Sequence, residues 1–149
     1  GARHERLVAP DYGGDGKKLA LRGKYATPVA AFQPMRPAVL DLAFYDGTRF
    51  PPKYRHGAFL AMHGGGADGT VLPEGHAGYS VAFVPFAGNK AGKPVDFITG
   101  FAGASPADRN VKAAAYRPVG VAVGPEGDLY VADSNKGRIW RISYGETAH

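Results

Sequence analysis

Cysteine is absent from this chain of 149 residues, which excludes disulfides, thiolate metal sites and a cysteine nucleophile, and leaves the compartment open. No run of about 18 apolar residues occurs, so no segment reads as a membrane-spanning helix. No stretch carries an apolar stripe at helical spacing. Basic residues outnumber acidic ones, 18 to 13, for a net charge of +5, yet no block of like charge appears. A nucleic-acid partner is therefore not expected, because that footprint gathers its cations on one face beside exposed aromatics. The chain opens on Gly1 with no basic and apolar leader behind it, which reads as a processed product or part of a longer protein.

What is present points to strands. The sequence is 44% hydrophobic, enough for a core, and its 22 glycines and 12 prolines suit many short strands separated by turns. Residues 1–35 are the least regular and read as an extended arm, with one strand candidate at Ala26 to Phe32. Alternation then predicts strands at Val39–Tyr45, Ala58–Met62, Tyr79–Phe86 and Val95–Phe101, and after a linker at Val119–Val123, Leu129–Ala132 and Ile139–Tyr144. The turns Pro125-Glu-Gly-Asp128 and Asn135-Lys-Gly137 divide the last three.

Four strands in succession over residues 36–103, then three over 104–149, make an all-β chain of two consecutive β-propeller blades, the second one strand short. The two are weakly self-similar. In the second, Val119, Val121 and Val123 share one side and Gly120, Ala122 and Gly124 the other, so both faces are expected to be covered. Trp140 shares its side with Arg138, Ile142 and Tyr144 and reads as a packing residue. A ring of at least about four blades at roughly 45 residues each needs ~180 residues. The chain is too short to close one, so further blades, on the same precursor or another chain, are the expected partners, and a strand from elsewhere should pair with Ile139–Tyr144. A rival reading is a small β domain whose own arm covers that edge.

Two stretches carry a family resemblance. They are Phe50-Pro-Pro-Lys-Tyr-Arg-His-Gly-Ala-Phe-Leu-Ala-Met-His-Gly-Gly65, and the segment from Tyr116-Arg-Pro-Val-Gly-Val-Ala-Val through Leu129-Tyr-Val-Ala-Asp-Ser-Asn-Lys-Gly-Arg-Ile-Trp-Arg-Ile142. Over roughly residues 36–145 the chain resembles the C-terminal part of the soluble glucose/sorbosone dehydrogenases, six-bladed propellers that use pyrroloquinoline quinone (PQQ) and calcium. The second stretch taken alone also looks like a generic NHL repeat. The resemblance implies a quinoprotein oxidising a sugar hydroxyl or hydrated aldehyde, in a periplasmic or secreted bacterial setting, and passing electrons to an unknown acceptor. The catalytic base and most calcium ligands of the family belong to earlier blades, so no catalytic or metal-binding residue is assigned here, and the chain alone is expected to be inactive. The other class of function open to the same fold is a non-catalytic NHL-like scaffold.

Three residues are expected to face the cofactor. PQQ carries several carboxylates, and Arg117, directly before the innermost strand of the second blade, is placed to meet one at the axial mouth. His63 ends a strand and matches the family's His-Gly; Gly64 allows close backbone approach. Some members have a lysine near this position that contacts the quinone, where this chain has glycine. His63, Asp68, Glu74 and His76 share a loop, but their spacing matches no compact zinc signature. Lys53, Arg55 and His56 read as a solvated turn, and Asp133, Ser134 and Asn135 as turn stabilisers. Gly13-Gly-Asp-Gly16 lacks the strand-to-helix setting of a phosphate loop.

Overall fold

The computed structural model describes residues 37–66 and 72–145, all within the compact unit Phe32–His149. The arm read over residues 1–35, Gly13-Gly-Asp-Gly16 and Asp68 lie outside the described residues.

Eight strands form two antiparallel sheets, with no α-helix among the described residues. The first sheet contains β1 (Val39–Tyr45), β2 (Gly57–Met62), β3 (Ser80–Ala87), the two-residue β4 (Lys90–Ala91) and β5 (Val95–Ile98). They run β1-β2-β3, with β4 and β5 sharing the far side of β3. The second sheet runs β6 (Pro118–Val123), β7 (Leu129–Asp133), β8 (Ile139–Ile142). These are two neighbouring propeller blades, the latter with three strands. No helix among the described residues is long and apolar enough to cross a membrane.

Register follows from the side-chain pattern. Phe59 lies opposite Ala43 on one side and Phe83 on the other, and Ala61 opposite Val81, so the face directed at the second sheet is continuous and apolar. Phe59 is fully buried, with ring centroids 4.6 Å from Phe97, 5.0 Å from Phe83, 5.3 Å from Tyr45 and 5.7 Å from Phe50. Val121, Leu129 and Val131 close the same core from the second sheet, with Trp140 and Ile142 packed on its margin. Trp140 meets Tyr116 edge-on at 5.1 Å, the packing role expected of it.

Two further polar contacts join the sheets. The Asp41 carboxylate accepts a hydrogen bond from the Val121 backbone N–H at 3.0 Å. At the opposite end of the strands the buried Asp128 carboxylate lies 3.2 Å from Arg49 and 3.6 Å from Arg141. Gly127 allows this approach, since a Cβ there would stand 3.1 Å from Arg49 Cβ and 3.3 Å from the Tyr45 hydroxyl.

Some boundaries differ from the sequence reading. Tyr79 does not open the third strand; its φ of +58° puts it in the left-handed region, and the ladder begins at Ser80. The fourth strand stops at Ile98 because a bulge after Asp96 turns Phe97 and Ile98 together toward the core. A bulge between Pro118 and Gly120 breaks the strict alternation of β6, and its last two residues, Ala122 and Val123, are exposed on either side. Lys53, Arg55 and His56 do form a turn, but Arg55 also pins it, donating to the Phe50 and Thr48 carbonyls at 3.3 and 3.1 Å.

Phe59→Ala is expected to cost about 3–5 kcal/mol of stability, because it empties the centre of the aromatic cluster. Urea denaturation of the two proteins measures it.

Candidate functional site

One end of the blade pair gathers the β2–β3 loop, the linker before β6 and the turn after β7. The three residues expected to face a cofactor meet there. Arg117 donates from Nε to the His63 carbonyl and from Nη2 to the Gly64 carbonyl, both at 3.3 Å. These bonds occupy one edge of the guanidinium. No hydrogen bond reaches Nη1 among the described residues, so the Nη1–Nη2 edge keeps donors in the planar arrangement that matches a carboxylate.

The backbone around Arg117 is set by Asp133. One carboxylate oxygen accepts from Arg117 N at 2.6 Å and Asn135 N at 3.1 Å, the other from Lys136 N at 2.7 Å. Burial pushes the Asp133 carboxyl up, but backbone hydrogen bonds involving Arg117, Lys136, Asn135 and Arg138 outweigh it and hold the group below the usual carboxylate range. The side chain is thus an ionised staple joining the start of β6 to the end of β7, the turn role its sequence context implies.

His63 sits half-buried with Nε2 3.0 Å from the Ser134 hydroxyl, and Ser134 N donates to the Arg117 carbonyl at 3.1 Å. Burial lowers the His63 pKa, the Arg117 charge lowers it further, and Asp133 opposes both. The imidazole is therefore held neutral at pH 7, able both to donate and to accept.

The glycines of this loop serve the chain's own packing. Gly64 has φ +99°, and a Cβ there would fall 2.3 Å from the Tyr79 ring. Its N–H donates to the Pro37 carbonyl at 2.8 Å, and Gly65 N–H donates to Ala77 at 3.2 Å. The His-Gly-Gly backbone offers no free N–H cradle, so what this loop presents to a ligand is the imidazole and the neighbouring guanidinium. Glu74 and His76 join the linker through their backbones, while the His76 ring lies against Gly66, 2.5 Å from where a Cβ would stand. Arg109 donates to the Glu74 carbonyl, and His76 N donates to the Arg109 carbonyl at 2.8 Å. No group of three metal-ligating side chains forms among the described residues.

The contacts of Ser134 with His63 and of Tyr79 with Gly64 are not among those the sequence leads one to expect. The pairing of a glycine cluster at 64–66 with the Gly78-Tyr79 step was the available signal: glycines facing an aromatic mark a ring laid against backbone.

A family model described as TrAA12-like matches residues 19–145. Among solved structures, one described as "glucose dehydrogenase" aligns with a TM-score of 0.52 at 22% identity, over 80% of this chain and 29% of that one. A second, "Crystal structure of glucose dehydrogenase", aligns with a TM-score of 0.47 at 23% identity, over 73% of this chain and 24% of that one. At such identity the first likeness is one of fold, and this chain spans less than a third of either structure's length. No curated protein matches.

Three outcomes follow from the geometry. In a native-state NMR titration the His63 ring should titrate below 6.5, and Arg117→Ala should raise it by removing a neighbouring positive charge. Unfolding then takes up a proton as the pH falls through that window, so His63 contributes stability above pH 6.5 that is lost on acidification below it. Gly64→Ala should destabilise by at least about 1 kcal/mol, from a strained φ and a displaced Tyr79, as read by the urea midpoint.

Proposed function

The chain belongs to the TrAA12-like family, and from that premise we propose that it forms the C-terminal portion of a PQQ-dependent sugar dehydrogenase of the glucose/sorbosone type. The observation that carries the proposal is the Arg117 guanidinium, fixed along one edge and hydrogen-bonded to none of the described residues along the other, beside a neutral imidazole at one end of the blade pair. A planar polycarboxylate such as PQQ fits that donor set: the open edge would receive a carboxylate, and His63 with Ser134 would offer neutral hydrogen bonds to a cofactor or sugar oxygen. When bound, the quinone supplies the two-electron acceptor for oxidation of a sugar hydroxyl or hydrated aldehyde.

The work of this chain is to bind and orient. Arg117 contributes a permanent charge whose direction is set before the ligand arrives, which lowers the entropy lost on binding. His63 remains uncharged beside it and so does not repel a cation or require a second anion. The catalytic base, calcium and the remaining cofactor contacts fall to further blades, and a periplasmic or secreted setting accompanies this reading.

The test uses the complete protein. With PQQ and Ca²⁺ added, it should bind the quinone and reduce a dye in the presence of sugar. Arg117→Ala should weaken PQQ binding by about 1.5–3 kcal/mol, the cost of one charge-assisted carboxylate contact. Absence of bound quinone at saturating PQQ and Ca²⁺ would sink the proposal and leave a scaffold role.

A further inference from the structure

Tyr79 belongs to none of the interactions that build the main core. It is 1% exposed and packs with Ala102 and Ala114 in a separate small cluster. Its backbone has φ +58°, a conformation that bulky side chains adopt rarely and only where the surroundings impose it. The side chain touches the candidate site in three ways. Its hydroxyl donates to the Gly65 carbonyl at 2.6 Å, its ring fills the space a Cβ on Gly64 would need, and the Arg117 guanidinium lies 5.7 Å over the ring centroid. The carbonyls of three successive residues are thereby held by two side chains, His63 and Gly64 by Arg117 and Gly65 by Tyr79.

We infer that Tyr79 is the positioning residue of this site: by tethering Gly65 and backing the guanidinium, it fixes the direction in which Arg117 presents its open edge. As a reading of cofactor binding the inference rests on the proposed function; as a statement about Arg117 it does not. Arg117 is anchored by carbonyls at the edge of a glycine-rich loop, and such carbonyls hold a direction only if the loop itself is held. Tyr79 holds it from beneath. Burial raises the phenol's pKa and the Arg117 charge lowers it, with the rise prevailing, so the hydroxyl remains protonated and a donor over the physiological range.

Tyr79→Phe keeps the ring and removes the tether; Tyr79→Leu removes both. In the ligand-free complete protein, hydrogen exchange at Arg117 Nε–H, followed by ¹⁵N NMR, should accelerate by about tenfold in Tyr79→Phe, the equivalent of one lost hydrogen bond. Tyr79→Leu should accelerate it further, and should that variant not fold, Tyr79→Phe decides alone. PQQ affinity should fall in both variants when Arg117 is present and be unaffected by the same changes in an Arg117→Ala background. Faster exchange in a protein that binds no PQQ supports the positioning role and removes the cofactor reading. Exchange within about twofold of wild type in folded Tyr79→Phe overturns the inference.

Discussion

The ring of Phe59, enclosed by four other aromatic rings on the face where the two sheets meet, is the contact on which the rest of the structure depends. A sheet this size cannot be stable with both faces wet, and its inner face packs on the second sheet's Val121, Leu129 and Val131. The angle at which the sheets settle on this cluster determines how the loops at their ends approach one another. Arg117 reaches His63 and Gly64 across a sequence separation of more than fifty residues because that packing brings the end of β2 beside the start of β6.

The site is built of weak contacts placed on a strong one. Each hydrogen bond between Arg117 and a loop carbonyl is long, 3.3 Å, and the ring beneath adds a modest cation–π attraction. Asp133 supplies the firmer anchor, an ionised carboxylate joined to several backbone N–H groups. The arrangement therefore has a graded stiffness: a fixed backbone at Arg117 N, and a side chain whose direction is set by softer contacts farther out.

Much of the fold was legible because alternation and turn chemistry are local. Val39–Tyr45, the Pro125-Glu-Gly-Asp128 turn and the Asn135-Lys-Gly137 turn carry their structure within a few residues; six of the seven expected strands appear within two residues of their expected bounds, the fourth ends three residues early, and the two-residue β4 was not expected. The departures have a common origin in tertiary packing. The bulge at Phe97–Ile98 exists because two consecutive side chains are needed in one core, and the left-handed backbone at Tyr79 because its ring must lie under Gly64. Neither requirement is written in the neighbouring sequence. His63, Gly64 and Arg117 were each singled out through family resemblance; that they touch one another, and that Ser134 and Tyr79 join them, depends on packing between segments far apart in the chain.

Asp41 has an effect beyond the single bond it makes. The inner strands β1 and β6 run beside each other, and an exposed row of peptide groups along β6 would ordinarily invite a neighbouring backbone to zip onto it. A carboxylate instead occupies the Val121 N–H. By substituting a side-chain acceptor for a strand's own carbonyl, the protein insulates one ladder from the next. Two sheets can then touch near their inner edges and still remain two, which is what lets adjacent units fan out from one another in place of merging into a single flat ribbon.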